Sequence, residues 1–277
     1  MRYISFAHHG RTSYGRVVGD SVADLGARHG APDDLKSALA AGTLAELQAD
    51  THLPLSTLTL LPVIPNPAKI LCVGHNYETH RQETGRAKVD NPSIFTRFAD
   101  TLIGADDAIR KPAVSDSLDF EGELAIVIGK AGRNIAEADA MAHIAGFACF
   151  NDASIRDWQW HTSQFTPGKN FPATAPFGPE LVTPDEIEDL AAVTVTTRLN
   201  GEQVQHAPVA DMIFPIAKII AYISAFTPLN PGDVIATGTP GGVGAKRQPP
   251  LWMKAGDIVE VEIAGVGLLR SRIKAED

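Results

Sequence analysis

Two glutamates, Glu121 and Glu123, stand two residues apart at the start of the apolar run 124–128. Side chains alternate between faces along a strand, so both carboxylates are expected on one face, with Gly122 leaving room on the other. Neighbouring carboxylates repel each other unless a cation neutralises them, and a divalent ion with a preference for oxygen does this well. The pair therefore indicates either a metal site or an exposed strand end that carries glutamate twice.

A third carboxylate, Asp152, ends the apolar run 146–151. Functional side chains are often found where a strand gives way to a loop. The polar run that follows contains Arg156 and Gln159. Asp152 is therefore a candidate third ligand.

His80 and Glu83 are three residues apart in a polar stretch after the apolar run 69–74. One helical turn would place them on the same face, where a carboxylate bonded to an imidazole makes a stronger base. The alternative is an exposed helical turn with two unrelated polar side chains.

Two loops carry further candidates. Lys169 lies in the loop 164–172 among mostly apolar neighbours and is either solvated or directed at an anionic substrate. The glycine-rich loop 237–244 lacks the Gly-Lys-Ser/Thr ending of a phosphate-binding loop. We interpret it as backbone that approaches a small ligand closely, with the hydroxyl and amide of Thr239 available.

The composition limits the class of protein. With 277 residues, 44% hydrophobic content and a net charge of −9, the chain is typical of a globular protein and unsuited to nucleic acid. The apolar run 213–223 is too short to span a bilayer, and the N-terminus has no signal-peptide core, so no membrane association and a cytoplasmic location are expected. Cys72 and Cys149 are expected to be reduced core thiols.

The order of patterns predicts an α+β, strand-rich chain rather than a doubly wound fold. A small N-terminal α/β domain is expected over 1–61, a proline-rich connector over 62–68 and the main domain over 69–277. The first predicted element is a hairpin within 3–22. Helices are predicted near 35–40, 44–48, 136–144 and 213–225, and Pro215 is expected to open the last of them. Strands are predicted at 69–74, 93–98, 108–110, 120–128, 146–152 and 192–199, and the last strand is expected to end in a hairpin turn at Asn200-Gly201.

Together these motifs resemble the fumarylacetoacetate hydrolase family, in its bacterial type with a small N-terminal domain, over residues 69–273. The motifs, in the family's order, are His80-x-x-Glu83 as the base, Glu121-Gly122-Glu123 and Asp152 as the metal set, Arg156 and Gln159 as anion contacts, Gly168-Lys169, and Thr237-Gly238-Thr239-Pro240. The resemblance implies a mixed β-roll of mostly strands, a homodimer, and Mg²⁺ in the site, which Mn²⁺ or Ca²⁺ can replace.

The activity that the resemblance implies is hydrolysis of a carbon–carbon bond in a β-diketo or acylpyruvate-type acid such as fumarylpyruvate, in the breakdown of aromatic compounds. The His80–Glu83 pair would activate water, Lys169 and the Thr239 amide would stabilise the oxyanion, and the metal would hold the enolate. One alternative is an oxo-acid lyase or isomerase, namely an oxaloacetate decarboxylase, a tautomerase or a hydratase. Another is a non-catalytic oxo-acid-binding or Ca²⁺-binding protein.

One segment departs from the family pattern. The family commonly follows its lysine with Ser/Gly-Phe-Asp, whereas Lys169 is followed by Asn170-Phe171-Pro172. The preceding segment 158–164 is unusually aromatic, and its His161 either contacts a substrate carboxylate or caps the loop. The sequence therefore leaves the substrate open.

Overall fold

The computed structural model describes residues 1–276, and most of its regular structure is β-strand. The strands are β1 (Arg2–His8), β2 (Arg11–Val18), β3 (Ser21–Asp24), β4 (His52–Pro54), β5 (Thr59–Leu60), β6 (Ile70–Gly74), β7 (Ser93–Arg97), β8 (Leu102–Ile103), β9 (Ala108–Lys111), β10 (Leu118–Asp119), β11 (Gly122–Ile128), β12 (Ile144–Asn151), β13 (Ser154–Ile155), β14 (Ala175–Val182), β15 (Thr194–Leu199), β16 (Glu202–Pro208), β17 (Val234–Ala236), β18 (Ile258–Ile263) and β19 (Gly267–Ala275). The α-helices are α1 (Leu35–Ala41), α2 (Glu78–Glu83), α3 (Arg156–Gln159), α4 (Thr166–Lys169) and α5 (Ile216–Phe226). Short 3₁₀ helices cover Leu25–Ala27, Leu55–Thr57, Ala99–Thr101, Glu137–His143, Pro184–Glu186, Leu190–Ala192, Val209–Asp211 and Gly244–Lys246.

The strands form two large mixed sheets. The first is a 12-stranded sheet with the order β4-β3-β2-β1-β14-β12-β11-β17-β6-β7, to which β5 adds beside β1 and β8 beside β14. The second has five strands in the order β16-β15-β18-β19-β9. Most pairs are antiparallel, but β17 runs parallel to β6, β19 to β9 and β14 to β8. This strand-rich α+β architecture confirms the predicted fold class.

The strand β11 lies inside the first sheet and is buried on both faces. Leu124 and Ile126 belong to a core shared with the second sheet and α5, whereas Ala125 and Val127 pack on the other side in a core that includes α1. Burial on both faces explains the continuous apolar run in this part of the sequence. It also gives the carboxylates at the start of the strand a rigid support.

Several local predictions are confirmed. The β15–β16 hairpin turns at Asn200 and Gly201, whose φ angles of 52° and 83° are both positive, as a type I′ turn requires. The helix α5 begins directly after Pro215. Cys72 and Cys149 are buried and free.

Three local predictions need correction. The segment 44–48 is not helical: after the left-handed Gly42 caps α1, the chain makes a turn in which the Glu46 amide donates to the Thr43 carbonyl at 2.9 Å. The segment Glu137–His143 is a 3₁₀ helix rather than an α-helix, and its buried residues Ala140 and His143 follow the three-residue period of that helix. The expected loop at 164–172 contains the single turn α4.

The N-terminal strands join the same sheet as the residues of the main domain. Tyr3 of β1 pairs with Leu181 of β14, and β1 also pairs with β2. The sheet thus continues from the segment 1–61 into the later part of the chain. The division at 62–68 stays a prediction about domains. Among residues 1–276, no helix has the length and hydropathy that a bilayer crossing requires.

Candidate active site and metal centre

Three buried carboxylates meet where β11 and β12 lie side by side. Gly122 pairs with Asn151 in the antiparallel register, so Glu121 and Glu123 at the start of β11 lie beside Asp152, which directly follows β12. The Asp152 amide donates to the Glu121 carbonyl at 2.9 Å, and the Asn151 side chain accepts from the Glu121 amide at 3.1 Å. One carboxylate oxygen from each acid lies within 4.8 Å of the others. The structure therefore brings together the three acids that the sequence indicates as candidate metal ligands.

Two buried cations lie against this cluster. Lys169 Nζ donates to Glu121 Oε2 at 2.8 Å and to Asp152 Oδ2 at 2.6 Å. Arg97, at the end of β7, donates to the second oxygen of Asp152. It also donates to Thr174 Oγ1, and the nitrogen–oxygen distance of that bond is 2.6 Å. Both sides of the Asp152 carboxylate are thus held in place.

Arg156 forms a third cationic contact. Its Nη2 lies 2.7 Å from Glu121 Oε1, and its Nε donates to Asp119 Oδ2 at 2.8 Å. Burial alone would raise the pKa of Glu121, but the charges of Lys169 and Arg156 outweigh it and hold that pKa below its ordinary value. Glu121 is therefore ionised at neutral pH.

Glu123 is in a different electrostatic position. It accepts a hydrogen bond from the Gly238 amide at 2.8 Å, but within residues 1–276 no basic side chain forms an ion pair with it. Burial, followed by the nearby charges of Asp152 and Glu121, raises its pKa well above the ordinary value.

The donor set fits a divalent cation. The buried cluster has one more carboxylate than cations, and its members are Asp119, Glu121, Glu123, Asp152, Arg97, Arg156 and Lys169. A divalent ion among the oxygens would supply the positive charge that Glu123 lacks, and oxygen ligands suit Mg²⁺, Mn²⁺ or Ca²⁺. Glu121, Glu123 and Asp152 thus form a site that could hold such an ion.

His80 and Glu83 form the pair that the sequence indicates. His80 Nδ1 lies 2.7 Å from Glu83 Oε1, and the other Glu83 oxygen accepts from the Gly242 amide at 2.8 Å. The second bond ties α2 to the glycine-rich loop. His80 is buried and lines the same pocket as Glu121 and Glu123, so it is not part of an exposed turn.

His75 is a further residue of this pocket that the sequence did not indicate. Its ring stacks on His80 with centroids 5.2 Å apart, and its φ of 56° is unusual for a residue other than glycine. Burial, and after it the charges of His80 and Arg86, lower the pKa of His75 to about 4. The ring is therefore neutral at pH 7.

The segment from α3 to α4 positions Arg156, Gln159 and Lys169 together. Arg156 Nη1 donates to Gln159 Oε1 at 2.8 Å. A Cβ at Gly168 would lie 2.5 Å from the backbone nitrogen of Gln159, so only glycine permits this close approach of α4 to α3. The glycine before Lys169 is thus required for the packing of α4 against α3.

Thr239 lines the pocket, but its hydroxyl is already bonded within the protein. It donates to the Gly122 carbonyl at 2.9 Å and accepts from the Gln205 side chain at 2.8 Å. The first bond joins the Thr-Gly-Thr-Pro loop to Gly122, which lies between the two glutamates, and the second joins it to β16. Thr239 therefore supports the carboxylate cluster as well as lining the pocket.

His161 lies in an aromatic group at the surface. Its ring centroid is 5.0 Å from that of Trp158, which packs edge-on against Phe171 at 5.2 Å. His161 is exposed, whereas Trp160 next to it lines the pocket. This placement agrees with the loop interpretation of His161.

Sequence reasoning also missed Arg97 and Asp119. Arg97 had a detectable signal, since an arginine at the end of a predicted apolar strand needs a buried partner. Asp119 had none, because its partner Arg156 lies 37 residues away and only the β10–β13 pairing brings them together.

These features define a strand-rich α+β protein with a candidate divalent-cation centre of three carboxylates and an adjoining His–Glu pair. The family model described as "Fumarylacetoacetate (FAA) hydrolase C-terminal" matches residues 69–274, and the chain belongs to that family.

Three relatives indicate the range of activities. The chain is 44% identical to "Oxaloacetate tautomerase fahd2, mitochondrial" of Xenopus laevis, over 82% of this chain and 72% of the relative. It superposes on the fumarylacetoacetate hydrolase of Exiguobacterium antarcticum with a TM-score of 0.89 and 34% identity, and both chains are covered completely. It superposes on the maleylpyruvate hydrolase of Sphingobium sp. SYK-6 with a TM-score of 0.82 and 29% identity, again over both whole chains.

Proposed function

We propose that this protein is a divalent-metal-dependent enzyme that catalyses keto–enol tautomerisation of a 2-oxo acid of the oxaloacetate kind. The observation that carries the proposal is the His80–Glu83 pair, whose His80 lines the same pocket as Glu121 and Glu123 of the carboxylate cluster. A base beside a cation site is the arrangement that proton removal next to a carbonyl requires. The 44% identity to a relative named as an oxaloacetate tautomerase supports this choice over hydrolysis.

The metal and the protein have separate roles in this proposal. Glu121, Glu123 and Asp152 would hold Mg²⁺, with Mn²⁺ or Ca²⁺ as substitutes. The bound ion would supply Lewis-acid polarisation of the 2-oxo acid, which makes the neighbouring C–H group more acidic.

The chain's own residues move the proton. With the proton on Nδ1, His80 donates to the Glu83 carboxylate, and Nε2 is then the basic nitrogen. Nε2 takes a proton from C3 of the substrate, and the imidazolium returns a proton to the C2 oxygen, so that the keto form becomes the enol. The Lys169 ammonium and the Arg156 guanidinium stabilise negative charge that develops on the substrate oxygens.

A second candidate is carbon–carbon hydrolysis of an acylpyruvate-type acid, the activity that the sequence motifs imply. The same His80 Nε2 would deprotonate a water molecule, which then attacks the distal carbonyl. Its support is the likeness to two structures named as hydrolases.

Substrate trials with Mg²⁺ or Mn²⁺ separate the candidates. With oxaloacetate, we expect enol absorbance and C3 deuterium exchange to equilibrate faster than in buffer. Acylpyruvates and fumarylpyruvate would yield two acid fragments under the second candidate, and release of CO₂ from oxaloacetate would identify a decarboxylase. Tight Mg²⁺ binding without turnover of any of these acids would contradict both candidates and favour a binding protein.

Two variants test the assigned roles. His80→Gln should bind Mg²⁺ as the parent does and lose proton exchange, whereas Glu121→Gln should lose both. His206→Gln, at an exposed ring bonded to Thr196, is the control that should change neither. Exchange at the parental rate in His80→Gln would refute the role of this base.

The assembly and the cellular location also remain proposals. We propose a homodimer, which light scattering of the purified protein would test, with a monomeric mass as the contradicting result. We propose a cytoplasmic location, although the named Xenopus relative is mitochondrial. Fractionation of the source cells would decide between the two.

A further inference from the structure

Two exposed cations lie at the mouth of the candidate active site. Arg86, in the loop after α2, and Lys246, in the 3₁₀ helix after the glycine-rich loop, both line the pocket that contains His80 and Glu121. Both side chains are exposed, and within residues 1–276 neither forms an ion pair. By contrast, Arg81, five residues before Arg86, is held by Glu78 at 2.7 Å.

The positive charge of Arg86 and Lys246 is opposite in sign to the net charge of the chain. A protein with a net charge of −9 repels dianions unless a local positive field attracts them. The inner cations are already bound to carboxylates, as Lys169 is to Glu121 and Asp152. Among the described residues that line this pocket, Arg86 and Lys246 are therefore the cations that a second anionic group of a ligand could use.

An aromatic wall joins the inner and outer cations. Lys169 Nζ lies 5.0 Å from the ring centroid of Phe95, and Phe95 meets Phe165 edge-on at 5.6 Å. The Arg86 guanidinium lies 6.0 Å from the Phe165 centroid, within cation–π range. The pocket thus has the candidate cation site at its inner end, an apolar side and a cationic mouth, which matches a short carbon chain with an acid at each end.

We propose that Arg86, together with Lys246, binds the second carboxylate of a dicarboxylic 2-oxo acid and so makes the site selective for dicarboxylates. The inference rests on the proposed function for the orientation of the substrate, with its 2-oxo acid end toward the carboxylate cluster. A guanidinium binds a carboxylate through two parallel hydrogen bonds, so Arg86 contributes more than Lys246.

Binding of matched ligands to the Mg²⁺-loaded protein tests the proposal. The pairs are oxaloacetate against 2-oxobutanoate and 2-oxoglutarate against 2-oxopentanoate, which differ in the distal carboxylate at constant carbon number. By calorimetry or competition, we expect the parent to prefer the dicarboxylates by about tenfold or more, as a charge-assisted hydrogen bond predicts. Equal affinity within both pairs would overturn the inference.

Variants at the mouth then locate the effect. Arg86→Met should lower dicarboxylate affinity by about tenfold and leave monocarboxylate affinity within about twofold, while Arg86→Lys should recover part of the loss. Lys246→Met should show a smaller loss of the same kind. Lys88→Met, at an exposed lysine of the same loop that lines the neighbouring cavity, is the matched control and should change nothing. An unchanged preference in the Arg86→Met, Lys246→Met double variant would refute the assignment.

This test separates the inference from the proposed function. Proton exchange with 2-oxobutanoate as fast as with oxaloacetate, together with equal binding, would refute the dicarboxylate selectivity and keep the tautomerase. Binding preference that depends on Arg86 without proton exchange or cleavage of any 2-oxo acid would refute the enzyme and keep the selectivity.

Discussion

Replacement of Lys169 by methionine tests the electrostatic description of the carboxylate cluster most directly. The ammonium donates to Glu121 at 2.8 Å and to Asp152 at 2.6 Å, and the lysine side chain is only 2% exposed. Burial would lower the pKa of Lys169, but Asp152 and Glu121 outweigh it and raise that pKa, so the group is charged at neutral pH. Methionine keeps the length and apolar stem of lysine while it removes the charge.

The expected magnitude follows from the burial of the partners. Removing one member of a buried ion pair leaves an uncompensated charge and costs about 3–5 kcal/mol of the free energy of unfolding. With the metal removed by EDTA, Lys169→Met should lose this amount. Mg²⁺ at a hundred times its dissociation constant would stabilise the folded state by about 2.7 kcal/mol. Because a divalent ion would also neutralise the unpaired acids, we expect Mg²⁺ to stabilise the variant more than the parent.

Urea unfolding followed by circular dichroism, in EDTA and in Mg²⁺, measures the stability lost in Lys169→Met and the stabilisation of each protein by Mg²⁺. The control is Arg198→Met, which removes a 2.7 Å ion pair to Glu262 at the surface and should cost less than about 1 kcal/mol. A Lys169→Met variant as stable as the parent in EDTA would show that the ammonium does not neutralise Glu121 and Asp152, and the description of the cluster would be wrong.

Three further perturbations address the acid pair, its histidine neighbour and the strand that carries the acids. Glu123→Gln should raise the stability in EDTA by about 1 kcal/mol, because it removes like-charge repulsion in a buried cluster, and it should abolish stabilisation by Mg²⁺. His75→Asn tests the pKa of about 4. In the unfolded state the ring binds a proton below about pH 6.5, whereas in the folded state it does so only near pH 4. His75 therefore lowers the free energy of unfolding as the pH falls through this window. The ring is partly exposed, so we expect the variant to lose about 1–2 kcal/mol less than the parent between pH 7 and 4 in urea titrations. Gly122→Ala should cost about 1–3 kcal/mol in the same assay, because the new Cβ would lie 2.1 Å from Thr197 Oγ1.

Each of these predictions has a contradicting result. Retention of the Mg²⁺ effect in Glu123→Gln would remove this residue from the metal set. Identical pH dependence of the parent and His75→Asn would show that the ring titrates normally; asparagine is chosen because it tolerates the φ of 56° at this position. Wild-type stability of Gly122→Ala would mean that the two sheets do not pack as closely at this point as the structure shows.

Local patterns predicted a large part of this molecule. Three features were predicted because each depends on residues that are neighbours in the chain. They are the acidic pair at the start of β11, the Asn200-Gly201 turn and the proline before α5. The order of motifs was specific enough to indicate the family, which the match over 69–274 confirms. The prediction of a helix at 44–48 was wrong because the segment forms only a turn at Thr43–Glu46, and a pattern of five residues is too short to distinguish a turn from a helix.

The tertiary structure alone decided how these residues act on each other. The antiparallel register of β11 with β12 brings Asp152 beside Glu121 and Glu123, and that register is a long-range pairing that no local pattern encodes. The partners of the acids, among them Arg97, come from segments far apart in the chain. The amino-acid sequence by itself thus determined which groups are available, whereas the fold determined their burial. Burial sets their charges, because in a low-dielectric interior each carboxylate depends on the cations packed against it.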